Sequence, residues 1–223
     1  MLILLVVLAS VVALLCMRPS PQEPYHKGKS LTYWLTVLEQ PRSNESRKDG
    51  VAAVRQIGTN ALPRLVALVQ AKDSVPKAML LESLPGGWHS FLRLTPTQHQ
   101  RLRAVQGFEV LGPAAATSIP YLLEALRDSE VCVEVALALL SIGTEGAHSL
   151  TNGLVDPDDQ VRERVLSVMN SHLLPTKCKN VEQVTPVLMP HVIRCLRDQN
   201  PDIRMLAASV LGSLAKDGKI AVP

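Results

Sequence analysis

The chain has 223 residues, 47% of them apolar, which suits one packed domain with at most an appendage. Aromatic residues are only 3%, so the core must be aliphatic; this favours helix packed on helix over an aromatic-layered sandwich. A net charge of +3 does not demand nucleic acid or an anionic surface as partner, and Cys16, Cys132, Cys178 and Cys195 match no metal spacing and read as isolated thiols.

Residues 2–17, "LILLVVLASVVALLCM", carry no charge from Leu2 to Met17 and end at Arg18. At about 1.5 Å per residue a helix here covers about 24 Å, against a hydrocarbon core of about 30 Å. That is short but workable with local bilayer thinning. No basic side chain precedes the run, and "ALLCMRP" is a poor cleavage site. Residues 1–18 therefore read as an uncleaved single-pass membrane anchor. The alternative is a cleaved signal that would export the body to the periplasm. Arg18, Lys27 and Lys29 follow the run, which by positive-inside counting puts the body in the cytoplasm; the side remains open.

Residues 19–29 are proline-rich and read as a stiff tether. The stretch ends in Gly28-Lys29-Ser30, the tail of a phosphate-binding loop. The glycine such a loop needs five residues earlier is Glu23, and no strand precedes it. Ser30 is instead a suitable N-cap for "LTYWLTVLE", in which Leu31, Trp34, Leu35 and Leu38 form one apolar stripe.

From there apolar spacings of three and four predict helix pairs at 31–39 with 43–58, then 61–71 with about 97–112, the latter two split by an insert holding "GGWHS". Further pairs follow at 116–127 with 130–142, 146–154 with 158–172, and 185–197 with 200–216, with a loop-like insert over 172–186. Gly143, Gly212 and Gly218 suit turns past helix ends.

"PYLLEALRD" (120–128) and "PHVIRCLRD" (190–198) share one pattern and start 70 residues apart, and a degenerate copy, "SLTNGLVD" (149–156), lies between them. Each ends in a turn aspartate: Asp128, Asp156 and Asp198. Five residues later stand Val133, Val161 and Ile203, followed by Glu134, Arg162 and Arg204. Asp156 with Pro157, and Asn200 with Pro201, carry helix-start chemistry. "GKIAVP" at the end parallels "GTNALP" (58–63), so the chain is expected to continue past Pro223.

The Leu-x-Asp turn, the following Val/Ile-Arg pair and the proline of the first helix resemble HEAT repeats, over about residues 30–223. The assembly of apolar anchor, proline-rich tether, "GKSLTYWL" and repeats also resembles bacterial membrane-anchored HEAT-repeat proteins. The resemblance implies an all-α, right-handed α-α superhelix of about five helix pairs. It also implies that Arg162 and Arg204 pair with the turn aspartates Asp156 and Asp198 to stitch units together. If such a pair is partly buried, losing one partner costs about 3–5 kcal/mol.

No H-E-x-x-H motif or clustered histidine pair calls for a metal, and no Gly-x-Ser-x-Gly elbow is present. No cofactor is therefore expected. Arg101 and Arg103 lie together, as do Arg162 and Arg164, but stacking aromatics are scarce, which disfavours nucleic acid. The expected function is a membrane-tethered protein–protein interaction scaffold without catalysis. The rival readings are a self-associating envelope component and a HEAT-like enzyme resembling bilin lyases or DNA glycosylases.

Overall fold

A computed structural model describes residues 23–73, 97–172 and 181–216. The expected anchor from Leu2 to Met17, the start of the tether, the "GGWHS" insert and the "GKIAVP" end lie outside the described residues. No helix among the described residues is long and apolar enough to cross a membrane.

The described chain opens with a small hairpin, β1 (Tyr25–His26) and β2 (Lys29–Ser30), paired antiparallel with Tyr25 opposite Ser30. Lys27 and Gly28 have φ of 49° and 70°, the two left-handed positions that a tight hairpin turn requires. The proline-rich tether expected over 19–29 thus gives way early to folded chain. The Leu31 N–H donates to Pro24 O at 2.9 Å, Thr32 N–H to Glu23 Oε1 at 2.6 Å, and Trp34 Nε1 to His26 O at 3.2 Å. Gly28 turns a hairpin that is packed on the first helix.

Ser30 caps α1 (Leu31–Glu39), accepting from the Tyr33 N–H, and the predicted stripe of Leu31, Trp34, Leu35 and Leu38 is buried. Ser43 and Ser46 form a reciprocal capping box at the start of α2 (Asn44–Ile57). Gly58, at φ 60°, turns the chain through a short 3-10 segment into α3 (Leu62–Val69), with Pro63 in its first turn. Gly112, at φ 53°, repeats this transition between α4 (Thr97–Leu111) and α5 (Ile119–Ala125), with Pro120 in the first turn. The predicted helix 116–127 therefore begins as a 3-10 stretch, Gly112–Ser118. Next come α6 (Cys132–Ile142), α7 (Thr144–Leu154), α8 (Asp159–His172), α9 (Val181–Cys195) and α10 (Pro201–Lys216).

Three expectations change. The stretch read as a loop over 172–186 is already helical from Val181, and α9 runs through Pro186 and Pro190. Both prolines face outward, while Val184, Leu188 and Val192 are buried at spacings of four. Gly143 does turn the chain, at φ 102°, but Gly212 sits inside α10. The cap of α8 is Asp158, which accepts from the Gln160 N–H at 2.9 Å; Asp156 lies two residues earlier and accepts from the Asp158 N–H at 3.0 Å.

The second helices of the pairs, α2, α4, α6, α8 and α10, pack one on the next along the chain. Each buries the same row: Ala104, Phe108 and Leu111 in α4, Val135, Leu139 and Ile142 in α6, Val165 and Met169 in α8, Ala207, Leu211 and Leu214 in α10. One continuous aliphatic core results, with Phe108 its largest fully buried side chain. At Gly107 the helices come close enough that a Cβ would sit 2.6 Å from Leu65 Cδ2.

Candidate functional site

The turn inside each helix pair is built by its aspartate. Asp128, Asp156 and Asp198 each accept, through Oδ1, the backbone N–H two residues on: Glu130 at 3.1 Å, Asp158 at 3.0 Å, Asn200 at 2.9 Å. A short side chain that bonds its own backbone two residues ahead fixes the turn. Asn200 then accepts from the Asp202 N–H at 2.9 Å at the start of α10.

The burial rows correct the alignment of these turns. The buried residue that matches Val161 and Ile203 is Val131, because the turn after Asp128 is two residues shorter; Val133 is instead 42% exposed. The residue three before each buried Ala104, Val135, Val165 and Ala207 is therefore Arg101, Cys132, Arg162 and Arg204. Glu134 does not stand in the ladder position. Three arginines in that register do the same local job. Arg101 Nη1 donates to Ala71 O at 3.0 Å, Arg162 Nη1 to Asp156 O at 2.7 Å, and Arg204 Nη1 to Asp198 O and Gln199 O, both at 2.9 Å.

Two of them also reach the next unit. Arg162 grips Asp198 with two bonds, Nε to Oδ2 at 2.9 Å and Nη2 to Oδ1 at 3.1 Å, and also contacts Asp159. Arg101 lies with its Nε 3.2 Å from Glu134 Oε1, a charge contact without hydrogen-bond alignment, and both side chains are buried. Where α6 carries Cys132 in place of arginine, the same unit supplies the cation from its turn: Arg127 holds Asp156 Oδ2 from Nη2 at 3.0 Å and Nε at 3.2 Å. Lys72 does likewise for Asp128. The basic residue immediately before a turn aspartate stands in the sequence in Lys72-Asp73, Arg127-Asp128 and Arg197-Asp198, the last two within the repeated Leu-Arg-Asp pattern; the reach of Lys72 and Arg127 to the next unit is seen only in the structure.

The resemblance assigned Arg162 to the turn aspartates Asp156 and Asp198. The structure gives it the Asp198 carboxylate and only the Asp156 carbonyl. Arg204 takes the Asp198 carbonyl and has no carboxylate partner among the described residues. Arg101 and Arg103, considered for a basic groove, are tied to Glu134 and to Glu39, the latter with Nε to Oε2 at 2.6 Å.

Burial alone would raise the Asp198 carboxyl, but the Arg162 bonds, the Asn200 N–H and the charge of Arg204 outweigh it and hold it below the usual carboxylate range. The Lys72 contact, with the Glu130 N–H, does the same for Asp128. A carboxyl depressed in the fold stabilises above its unfolded value, near about 3.9, and loses that contribution as pH falls through the folded value. Stability measured by urea unfolding should therefore drop as pH is lowered below about 4, and Asp198→Asn should flatten that drop. An unchanged slope would contradict the assignment.

Burial also pushes the thiols of Cys132 and Cys195 up, so neither is a ready nucleophile. Among the described residues no three His, Cys, Asp or Glu side chains converge in a metal-holding group.

Beside the ladder runs an outward row. The residue just after each ladder position is Leu102, Val133, Glu163 and Met205, and the three apolar members are 40%, 42% and 63% exposed. Nothing within the described chain requires large apolar groups at these matched exposed sites. The row is apolar in α4, α6 and α10 and is interrupted by Glu163 in α8.

A family model described as HEAT repeat matches residues 188–218, which covers the second half of α9, the Asp198 turn and α10. No curated protein matches the chain.

Proposed function

We propose that the chain, which a HEAT-repeat model matches at residues 188–218, is a HEAT-repeat protein and a non-catalytic protein–protein interaction scaffold tethered to a membrane by residues 2–17. Helix-pair stacks offer an extended surface lined by successive second helices, suited to elongated partners. We take the stack to be a right-handed superhelix with these helices on its inner side. The observation that carries the reading is the exposed apolar row Leu102, Val133 and Met205, at one register in three second helices. Their shared register, rather than a contiguous patch, is what sets them apart from singly scattered surface apolars, and Glu163 breaks the row in α8.

The test compares the full chain with the Leu102→Glu/Val133→Glu variant as bait. Both positions are exposed, so stability should shift by no more than about 0.5 kcal/mol each. A partner recovered by the native bait and lost from the variant supports the scaffold. Identical recovery from both would remove the row from the binding surface. Tethering has a separate test, extraction of membranes at alkaline pH. The account expects the chain to stay in the pellet, and release to the supernatant contradicts an anchor at residues 2–17.

A further inference from the structure

Away from the ladder, α1, α3 and α4 meet around a cavity of about 150 Å³ lined by Thr32, Leu35, Arg64, Leu68, Gln100 and Arg103. Two polar atoms there, Thr32 Oγ1 and Arg64 Nε, are buried without a hydrogen-bond partner among the described residues. The rest of Thr32 is satisfied: its N–H donates to Glu23 Oε1, and its carbonyl accepts from Thr36 Oγ1 at 2.9 Å. Arg103 spends its Nε on Glu39 at the rim. Arg64 forms no ion pair among the described residues.

The lining thus brings the Arg64 guanidinium and the Thr32 hydroxyl to one partly open pocket, with Arg103 already paired to Glu39, and no lining residue is a carboxylate. Buried donors without acceptors are rare in folded proteins and point to something that fills the space. A guanidinium presents its N–H groups in a planar fork that matches a carboxylate or phosphate. Leu35 and Leu68 form the apolar part of the wall and suit a short aliphatic stem.

We propose that this cavity binds a single oxyanion group, a carboxylate or phosphate, held by Arg64 with the Thr32 hydroxyl as second donor. The group is carried either by a free small acid or by an acidic side chain of a docked protein. The site does not depend on the scaffold reading, since its evidence lies on different residues.

Calorimetric titration of the full chain in detergent micelles tests this, at constant ionic strength balanced with chloride. The probes are butyrate, inorganic phosphate and the blocked peptide Ala-Ala-Glu-Ala-Ala. Saturable one-to-one binding of at least one of them is expected. Arg64→Gln should weaken it by about tenfold or more, and Thr32→Val by less. Arg55→Gln, a change on α2 away from the cavity, should leave it unchanged. Tighter binding of butyrate or phosphate identifies a free ligand, and tighter binding of the peptide identifies a partner's side chain. If Arg64→Gln does not fold, Arg64→Lys takes its place; it keeps the charge but loses the fork, and should also bind more weakly. Heats no greater than with chloride for all three probes, or equal affinity in the native chain and the Arg64 variant, would overturn the proposal.

Discussion

Gly146→Ala should lower the unfolding free energy by about 3 kcal/mol, the upper end for forcing atoms into a packed interior. Gly146 lies in the first turn of α7, where that helix crosses the end of α6. A Cβ there would overlap Leu139 O and stand 2.8 Å from the Leu139 carbonyl carbon and 3.2 Å from Ile142 Cβ. The obstacles are backbone atoms and a β-carbon, so no rotamer change can relieve them. Gly212→Ala gives the internal contrast. It sits within α10 with open space around it, so alanine should stabilise by about 0.5–1 kcal/mol through the lower helix cost. Urea unfolding of the two variants should move in opposite directions from the native chain. A Gly146→Ala variant as stable as the native protein would mean that α6 and α7 do not cross this closely.

Arg162→Ala should cost about 3 kcal/mol. The side chains of Arg162 and Asp198 are each 13% exposed, which puts the pair at the low end of the range for a buried pair that loses one member. The change removes the two bonds to Asp198 and leaves its largely buried carboxylate without its main cation. It also frees the carbonyls of Asp156 and Pro157, which accept from Arg162 Nη1 at 2.7 and 3.2 Å. Arg204→Ala, in the same register, removes only the two carbonyl contacts of an exposed side chain and should cost under about 1 kcal/mol. Equal losses for the two arginines would show that the inter-unit bond adds nothing to the local one.

Much of the fold was legible because first and second helices alike keep apolar residues at spacings of three and four. Leu31, Trp34, Leu35 and Leu38 point inward as their periodicity requires, and Ser30 caps as its position suggests. The misreadings have specific causes. Pro186 read as the end of a loop, yet on the exposed side of a helix anchored by Val184, Leu188 and Val192 it is tolerated, as is Pro190. Glycine at 212 read as a stop, but an exposed helical glycine costs only about 1 kcal/mol, which packing of Leu211 and Leu214 overrides. Counting from Asp128 placed Val133 and Glu134 in the repeat register, and a turn shorter by two residues moved that register to Val131 and Cys132. Distance in sequence cannot reveal such a deletion; burial does. Arg127, which replaces the missing arginine, and Lys72, which adds to Arg101, each precede their own turn aspartate and reach that of the next unit. That crossing exists only once the pairs are stacked.

The most direct test of the stitched stack is a double-mutant cycle on Arg162→Ala and Asp198→Asn, read by urea unfolding at pH 7. Because the two side chains belong to neighbouring units and bond only each other across the gap, the account predicts a coupling of about 1–3 kcal/mol. Losses that add to within about 0.3–0.5 kcal/mol would contradict it, leaving the turns as independent caps rather than rungs of one ladder.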